Sequence, residues 1–130
     1  LIKVGLVRKI VSRGISIGEI GVTGKARIIK NNLDMSLICP GEILFVPKEL
    51  MKNIPLSKNI AGIVTNQNVN DVYALFNKNN KKISTICNLE NMDNHQISNG
   101  DLITLQLNEG VIYMGQIEDD DDAIDKYKYV

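Results

Sequence analysis

The sequence has few of the residues that mark secreted, disulfide-stabilised or aromatic-rich proteins. It contains no Trp, its aromatic residues make up 5% of 130 positions, and it has only 2 Cys and 1 His. Two cysteines allow at most one disulfide, too few for a secreted disulfide scaffold of this length, so we expect an intracellular protein in a reducing compartment. The shortage of aromatics predicts an aliphatic core, in which the many Ile residues favour strands.

Long apolar runs are also missing. Charged or polar residues interrupt every candidate before the roughly 18 to 20 residues that a transmembrane helix needs. The first residues lack the order of basic, apolar and small residues that marks a signal peptide, and the chain begins with Leu1 rather than Met. We therefore expect a soluble domain cut from a longer protein, with no membrane partner.

The charge is balanced overall but unevenly distributed. The 15 basic and 15 acidic residues cancel, yet residues 1–60 carry 10 basic and 4 acidic side chains, whereas residues 61–130 carry 5 and 11. The basic half lacks the interleaved aromatics of single-strand binders, so no nucleic acid partner is expected. We interpret cations such as Arg13, Lys25 and Arg27 as outward-facing residues on strands whose alternate residues are buried.

The acidic residues concentrate at the carboxyl end. Residues 118–130 contain a run of Asp typical of a solvated, self-repelling tail. Calcium loops space their carboxylates at alternate positions around a Gly turn, and that spacing is missing here, so we predict no metal site.

Hydrophobic periodicity predicts mostly strands and one clear helix. Val69, Val72, Tyr73 and Phe76 recur at three- and four-residue spacing, which predicts a helix over 69–78. This helix lies between two strands, an arrangement typical of a parallel crossover, and a hairpin is expected near the end of the chain. A second, short helix is predicted over 48–54. The predicted strands are 6–11, 25–30, 42–46, 60–65, 82–87, 102–107 and 111–115.

Five segments in a fixed order resemble a known module. They are GKARII at 24–29, PGEILFV at 40–46, AGIVT at 61–65, NGDLITL at 99–105 and GVIYMG at 110–115. Together they resemble the swivelling phosphohistidine domain, also called the mobile domain, of enzymes that use phosphoenolpyruvate. The resemblance implies an α/β, predominantly β domain with three layers, β/β/α. On this basis residues 1–13 lead in from a preceding domain, 14–117 form the swivelling domain, and 118–130 form the acidic tail.

The resemblance fails where the family carries its chemistry. The family places a phosphate-accepting His at the start of a helix, after a Thr, an acidic residue, a glycine pair and Thr-Ser, so that backbone N–H groups can hold the phosphate. Counted from the matching Thr, Tyr73 stands at the histidine position. The remaining positions of this degenerate phosphate loop are Thr65, Asn66, Asn68, Val69, Asp71 and Val72.

These replacements predict that the domain carries no phosphate and has no catalytic residue. A Tyr hydroxyl has a pKa near 10 and is neutral at pH 7, unlike the imidazole that accepts phosphoryl groups. Val69 removes the close backbone approach that glycine allows, and Asp71 places a negative charge where another would bind. We interpret His95 as a surface loop residue, and Cys39 and Cys87 as small buried apolar residues, since neither has a nearby activating His.

The opening of the domain indicates the parent enzyme. Residues 14–20, GISIGEI, resemble the start of the extra C-terminal domain of bacterial-type and some plastid-type pyruvate kinases. The resemblance implies a non-catalytic accessory domain, structural or regulatory, of an enzyme that transfers a phosphoryl group from phosphoenolpyruvate to ADP in glycolysis. Its partners would be the rest of the parent chain and its homo-oligomer, in the cytoplasm or a plastid. The domain itself would hold no cofactor; magnesium and potassium are expected in the parent's catalytic domain.

Two alternatives from other functional classes stay open. One is an active phosphocarrier domain of a synthase or dikinase that uses an unconventional residue, Tyr73 or His95. The other is a small-ligand or peptide binding module on the same fold, with the loop 66–70 as the rim of its pocket.

Overall fold

Eight strands, two short 3₁₀ helices and one α-helix make up the part of the fold that the structure describes. The computed structural model describes residues 9–92 and 97–115. In chain order the elements are β1 (Lys9–Arg13), β2 (Ile15–Ile17), β3 (Val22–Ile28), a 3₁₀ helix (Asn32–Leu37), β4 (Glu42–Val46), a second 3₁₀ helix (Lys48–Asn53), β5 (Ile60–Thr65), α1 (Val69–Lys78), β6 (Thr85–Cys87), β7 (Leu102–Gln106) and β8 (Val111–Met114).

The strands form one mixed sheet in the order β1-β8-β7-β3-β4-β5-β6-β2. Strands β3, β4, β5 and β6 are parallel neighbours, and the other pairings are antiparallel. The crossover β5-α1-β6 and the hairpin β7-β8 are therefore confirmed. The predominantly β, α/β class is confirmed as well.

Gly14 lets the sheet fold over on itself. Strands β1 and β2 lie at opposite ends of the strand order, yet only Gly14 separates them along the chain. The N–H of Gly14 donates to the carbonyl oxygen of Gly110 at 2.9 Å, so this residue also joins β1–β2 to the start of β8. A single stretch of chain thus holds the antiparallel part of the sheet against the parallel part.

Two hydrophobic clusters lie on opposite faces of the parallel strands. Strand β4 is buried at all five positions, and its side chains alternate between the clusters as the period of a strand requires. Leu44 and Val46 pack with Val72 and Phe76 of α1, whereas Ile43 and Phe45 pack against side chains of β7 and β8. The helix therefore covers one face of the parallel strands and the antiparallel part of the sheet covers the other.

Most of the predicted elements match the structure, but several bounds differ: the strands predicted at 6–11, 25–30 and 82–87 are Lys9–Arg13, Val22–Ile28 and Thr85–Cys87. The helix predicted over 48–54 is a 3₁₀ helix, Lys48–Asn53. The 3₁₀ helix Asn32–Leu37 was not predicted, although Asn31 and Asp34 form a capping box that is visible in the sequence. Among the described residues no helix has the length and apolarity to cross a membrane.

Two predictions about individual side chains are wrong. Cys39 is exposed, not buried. Arg27 does not point into solvent, because its guanidinium forms a two-point ion pair with the buried carboxylate of Glu42, with N–O distances of 3.0 and 2.9 Å. The Glu42 carboxylate also accepts the N–H of Cys39 at 2.7 Å, so it fixes the turn that leads into β4.

The ion pair predicts a pH-dependent contribution to stability. Burial raises the pKa of the Glu42 carboxyl, but hydrogen bonds from Arg27 and Cys39 and the charges of Arg27 and Lys25 lower that pKa more, so it lies below its ordinary value. A pKa lowered by folding gives stability that is present above the unfolded value of about 4.3 and is lost as the pH falls through the folded value. We expect Glu42→Gln to cost roughly 2 kcal/mol at pH 7, by urea unfolding, and less at pH 3.

The exposed Glu49 supplies the matched control, since Glu49→Gln removes the same charge from the second 3₁₀ helix. Its effect on the free energy of unfolding should stay within about 0.5 kcal/mol at both pH values. A cost for Glu42→Gln that is the same at pH 3 as at pH 7 would show that the carboxylate charge does not stabilise the fold.

Candidate functional site at the start of the helix

The degenerate phosphate loop lies at the carboxyl ends of the parallel strands. Thr65 ends β5 and Val69 begins α1, so residues 66–68 form the turn between them. In open α/β sheets ligands bind at this edge, because loops from neighbouring strands meet there and helix N-termini point towards it. The structure thus brings the predicted site residues together at an edge where binding sites commonly form.

Neighbouring loops hold this turn firmly in place. The Asn66 side-chain oxygen accepts the N–H of Lys48, which follows β4, at 2.7 Å. On the other side the N–H of Asn88, which follows β6, donates to the carbonyl oxygen of Gln67 at 2.8 Å. The Thr65 hydroxyl accepts the N–H of Gln67 at 3.1 Å within the turn itself. Thr65 and Asn66 therefore have structural roles here that need no ligand.

Asn68 and Asp71 fill the amino end of the helix. The side-chain oxygen of Asn68 accepts the N–H of Asp71 at 2.8 Å, which is an ordinary N-cap, and its amide nitrogen donates to the Asp71 carboxylate at 2.9 Å. The carboxylate also interacts favourably with the positive end of the helix dipole. A phosphate at this place would meet a cap that is already satisfied and a fixed negative charge.

The other residues of the predicted site differ in how deeply they are buried. Val72 is fully buried, and Val69 is half-buried against the same cluster, so both belong to the packing between α1 and the sheet. Tyr73 is 40% exposed, in the second turn of the helix. Its position is therefore accessible, but the loop residues that would surround a phosphate there are engaged with one another.

Among the remaining candidate residues, the structure places Cys87 beside Thr65, at the end of β6. Cys87 is buried in β6, where burial raises the pKa of its thiol and keeps it protonated; its sulfur donates to the carbonyl oxygen of Ile15 at 3.4 Å. His95 and the acidic tail 118–130 lie outside the described residues. Within residues 9–92 and 97–115, no three His, Cys, Asp or Glu side chains lie together in a way that could hold a metal ion.

Two cavities of about 360 Å³ each open on the described surface. The first lies at the carboxyl ends of β3 and β4, the same edge of the parallel strands as the degenerate loop, and its lining surface is half polar and half apolar. Its lining residues are Ile28, Ile29, Lys30, Phe45, Pro47, Met92 and Ile97.

The second cavity lies at the carboxyl end of α1. Tyr73 is the member of the predicted site that contributes to it; the other lining residues are Phe76, Asn77, Asn80, Lys81 and Lys82. Sequence reasoning missed it, because the run of Asn and Lys over 77–82 is also what a plain surface loop looks like. The available signal was an aromatic pair at 73 and 76 followed closely by two lysines.

Comparison with known proteins indicates a relationship to pyruvate kinases. No family model matches the chain. The chain is similar to Pyruvate kinase 2 of Synechocystis sp., with 28% identity over 117 residues, which are 90% of this chain and 20% of that protein. The chain thus spans about a fifth of the length of the relative that it matches. This similarity supports a pyruvate-kinase-related region.

Proposed function

We propose that this chain is the accessory C-terminal domain of a pyruvate kinase and that it acts without a catalytic residue of its own. The similarity to Pyruvate kinase 2 covers nearly all of this chain but only a fifth of the relative, as a domain appended to a separate catalytic part would. The parent chain would transfer the phosphoryl group of phosphoenolpyruvate to ADP. This domain would contribute structure, regulation or subunit contacts within the parent's homo-oligomer.

The proposal also assigns the domain to the swivelling phosphohistidine fold with its chemistry lost. Parallel strands with a crossover helix on one face and an antiparallel layer on the other are consistent with the β/β/α arrangement of that family. The observation that carries the loss is the hydrogen-bonded pair Asn68–Asp71, which occupies the end of the helix where the family holds phosphate. With Tyr73 in place of the histidine, neither the acceptor nor its cradle is present.

The metals of the parent would lie outside this chain. Pyruvate kinases of this kind are expected to use magnesium and potassium, and hard cations such as Mg²⁺ need clustered oxygen ligands. The described residues do not fit that requirement, because no acidic cluster forms among them. No step of the parent's reaction would therefore take place in this domain.

Phosphoryl transfer gives the first test. We expect the chain to remain unlabelled by radioactive phosphoenolpyruvate, alone or with a synthase core whose own swivelling domain serves as the labelled control. We also expect Tyr73→His to remain unlabelled, because Asp71 and the Asn68 cap still occupy the loop. The measurement is acid-labile and acid-stable protein phosphate after gel separation. Label on Tyr73 or His95 of the wild-type chain would instead support the phosphocarrier alternative.

The parent enzyme gives the complementary test. In the full-length protein, Tyr73→Phe is expected to leave kcat and KM for phosphoenolpyruvate and ADP within about twofold, since a half-exposed hydroxyl is removed without changing the fold. A loss of kcat of tenfold or more with an unchanged melting temperature would contradict a non-catalytic role. A full-length parent without pyruvate kinase activity would contradict the assignment itself.

A further inference from the structure

The cavity at the carboxyl end of α1 combines an aromatic wall with a cationic rim. Phe76, which is 2% exposed, and Tyr73, which is 40% exposed, both line it. Lys81 and Lys82 line it as well, and none of the six lining residues is acidic. Such a wall suits a planar or apolar group, and such a rim suits an anion.

One lysine of the rim is held in place by the backbone. The ammonium group of Lys81 donates to the backbone carbonyl oxygen of Lys58 at 3.3 Å, which uses one of its three N–H groups and leaves two for an anion. Lys78 lies in the last turn of the helix, just before the loop, and adds a third positive charge at this end of the helix.

Two of the last carbonyl groups of α1 have hydrogen-bond partners within the chain. The last carbonyl groups of a helix normally lack partners and repel anions. In α1 the Leu75 carbonyl accepts the N–H of Asn79 at 3.2 Å and its side-chain amide at 2.8 Å, while the Phe76 carbonyl accepts the N–H of Lys81 at 3.0 Å. The turn through Asn80, with φ of 49°, makes this last bond possible and directs the chain along the cavity.

We propose that this cavity binds a small organic anion with a planar body, whose phosphate or carboxylate faces Lys81 and Lys82 and whose body rests on Tyr73. The 360 Å³ volume lies within the range of small-molecule sites. Asn77 and Asn80 add amide groups that can donate to the same anion. Tyr73 belongs to both sites, but Lys81 and Lys82 follow the far end of the ten-residue helix, so anion binding here does not depend on whether the loop before the helix has lost its phosphate.

Phenyl phosphate is a suitable probe, because it joins a planar ring to a dianion. We expect it to bind the 130-residue chain at 50 mM salt with a Kd of about 1 mM or tighter, followed by amide chemical shifts in two-dimensional NMR. The shifts should concentrate on residues 73–82. Phenol and inorganic phosphate, which each supply half of the ligand, should bind at least tenfold more weakly.

Two double variants of equal charge separate this site from general attraction to lysines. Lys81→Gln with Lys82→Gln is expected to raise the Kd at least tenfold, whereas Lys48→Gln with Lys52→Gln, both exposed on the second 3₁₀ helix, should change it less than twofold. An equal loss in both variants would overturn the proposal. So would shifts spread over the surface, or inorganic phosphate binding as tightly as phenyl phosphate, because the ring would then contribute nothing.

Discussion

Gly14→Ala is expected to destabilise the fold by about 3 kcal/mol or more, the upper range for overpacking a tight site. A Cβ at this position would overlap the backbone carbonyl oxygen of Cys87 and would lie 2.8 Å from the Ile86 side chain and 2.9 Å from that of Leu89. The first of these atoms belongs to strand β6 and cannot turn away as a flexible side chain could. The backbone at residue 14 must shift instead, although the N–H of Gly14 donates to the carbonyl oxygen of Gly110.

That shift would act where the two parts of the sheet meet. Moving residue 14 away from β6 pulls on β2, which is three residues long, and on the bond that joins this stretch to β8. We therefore expect the melting temperature to fall by about 10 °C or more, measured by circular dichroism, with a matching loss in urea unfolding.

Gly100→Ala is the matched control. Gly100 has φ of +90° in an open turn, and a Cβ there would meet nothing within 4 Å. The substitution costs only the backbone conformation, about 1–2 kcal/mol. If Gly14→Ala lost no more stability than Gly100→Ala, the close approach of β6 to residue 14 would not constrain the fold.

The elements that sequence reasoning located well are those whose own residues determine them. Strands 42–46 and 60–65 match because each is a short apolar run bounded by turn residues. The helix Val69–Lys78 matches because its apolar residues repeat at helical spacing and Asn68 supplies a cap. Local pattern and local structure agree in these segments.

The features that were missed depend on residues distant in the sequence. Arg27 reads as an outward-facing strand residue until β3 and β4 pair and place it beside Glu42. The role of Gly14 requires β6 and β8 to approach from opposite ends of the strand order. Neither pairing leaves a periodic signal in the segments themselves.

The candidate site likewise has one part that the sequence could predict and one part that it could not. The Asn68–Asp71 contact spans three residues and follows from helix capping, so the obstruction of the loop was open to prediction. The second cavity needs Tyr73 and Lys82 on the same surface, and that depends on how the chain turns through Asn80 after the helix. The Asn and Lys residues of this segment do not by themselves predict the direction in which the chain turns.

Phe76→Ala is expected to cost roughly 3–5 kcal/mol, as for other fully buried aromatic side chains. Phe76 is 2% exposed and packs between α1 and the parallel strands, with Val72 one turn earlier. The helix is the only α-helix among the described residues, and Phe76 is packed in the same cluster as Met51 of the second 3₁₀ helix and Leu44 of β4, so its removal leaves a cavity in this layer.

Tyr73→Ala, three residues earlier on the same helix, provides the control for Phe76→Ala. Tyr73→Ala also removes an aromatic ring beside the second cavity, but this ring belongs to a residue that is 40% exposed. The substitution should therefore lower the free energy of unfolding by about 1 kcal/mol or less, measured by urea unfolding. Amide hydrogen exchange gives a second measurement. Phe76→Ala should accelerate the exchange of amides in α1 more than that of amides in β7 and β8, because the cluster between β4 and these two strands keeps its contacts. Equal costs for the two substitutions would mean that burial of Phe76 does not hold the helix on the sheet. Uniform acceleration of exchange would mean that the helix layer and the antiparallel layer stabilise the sheet as one core and not as two.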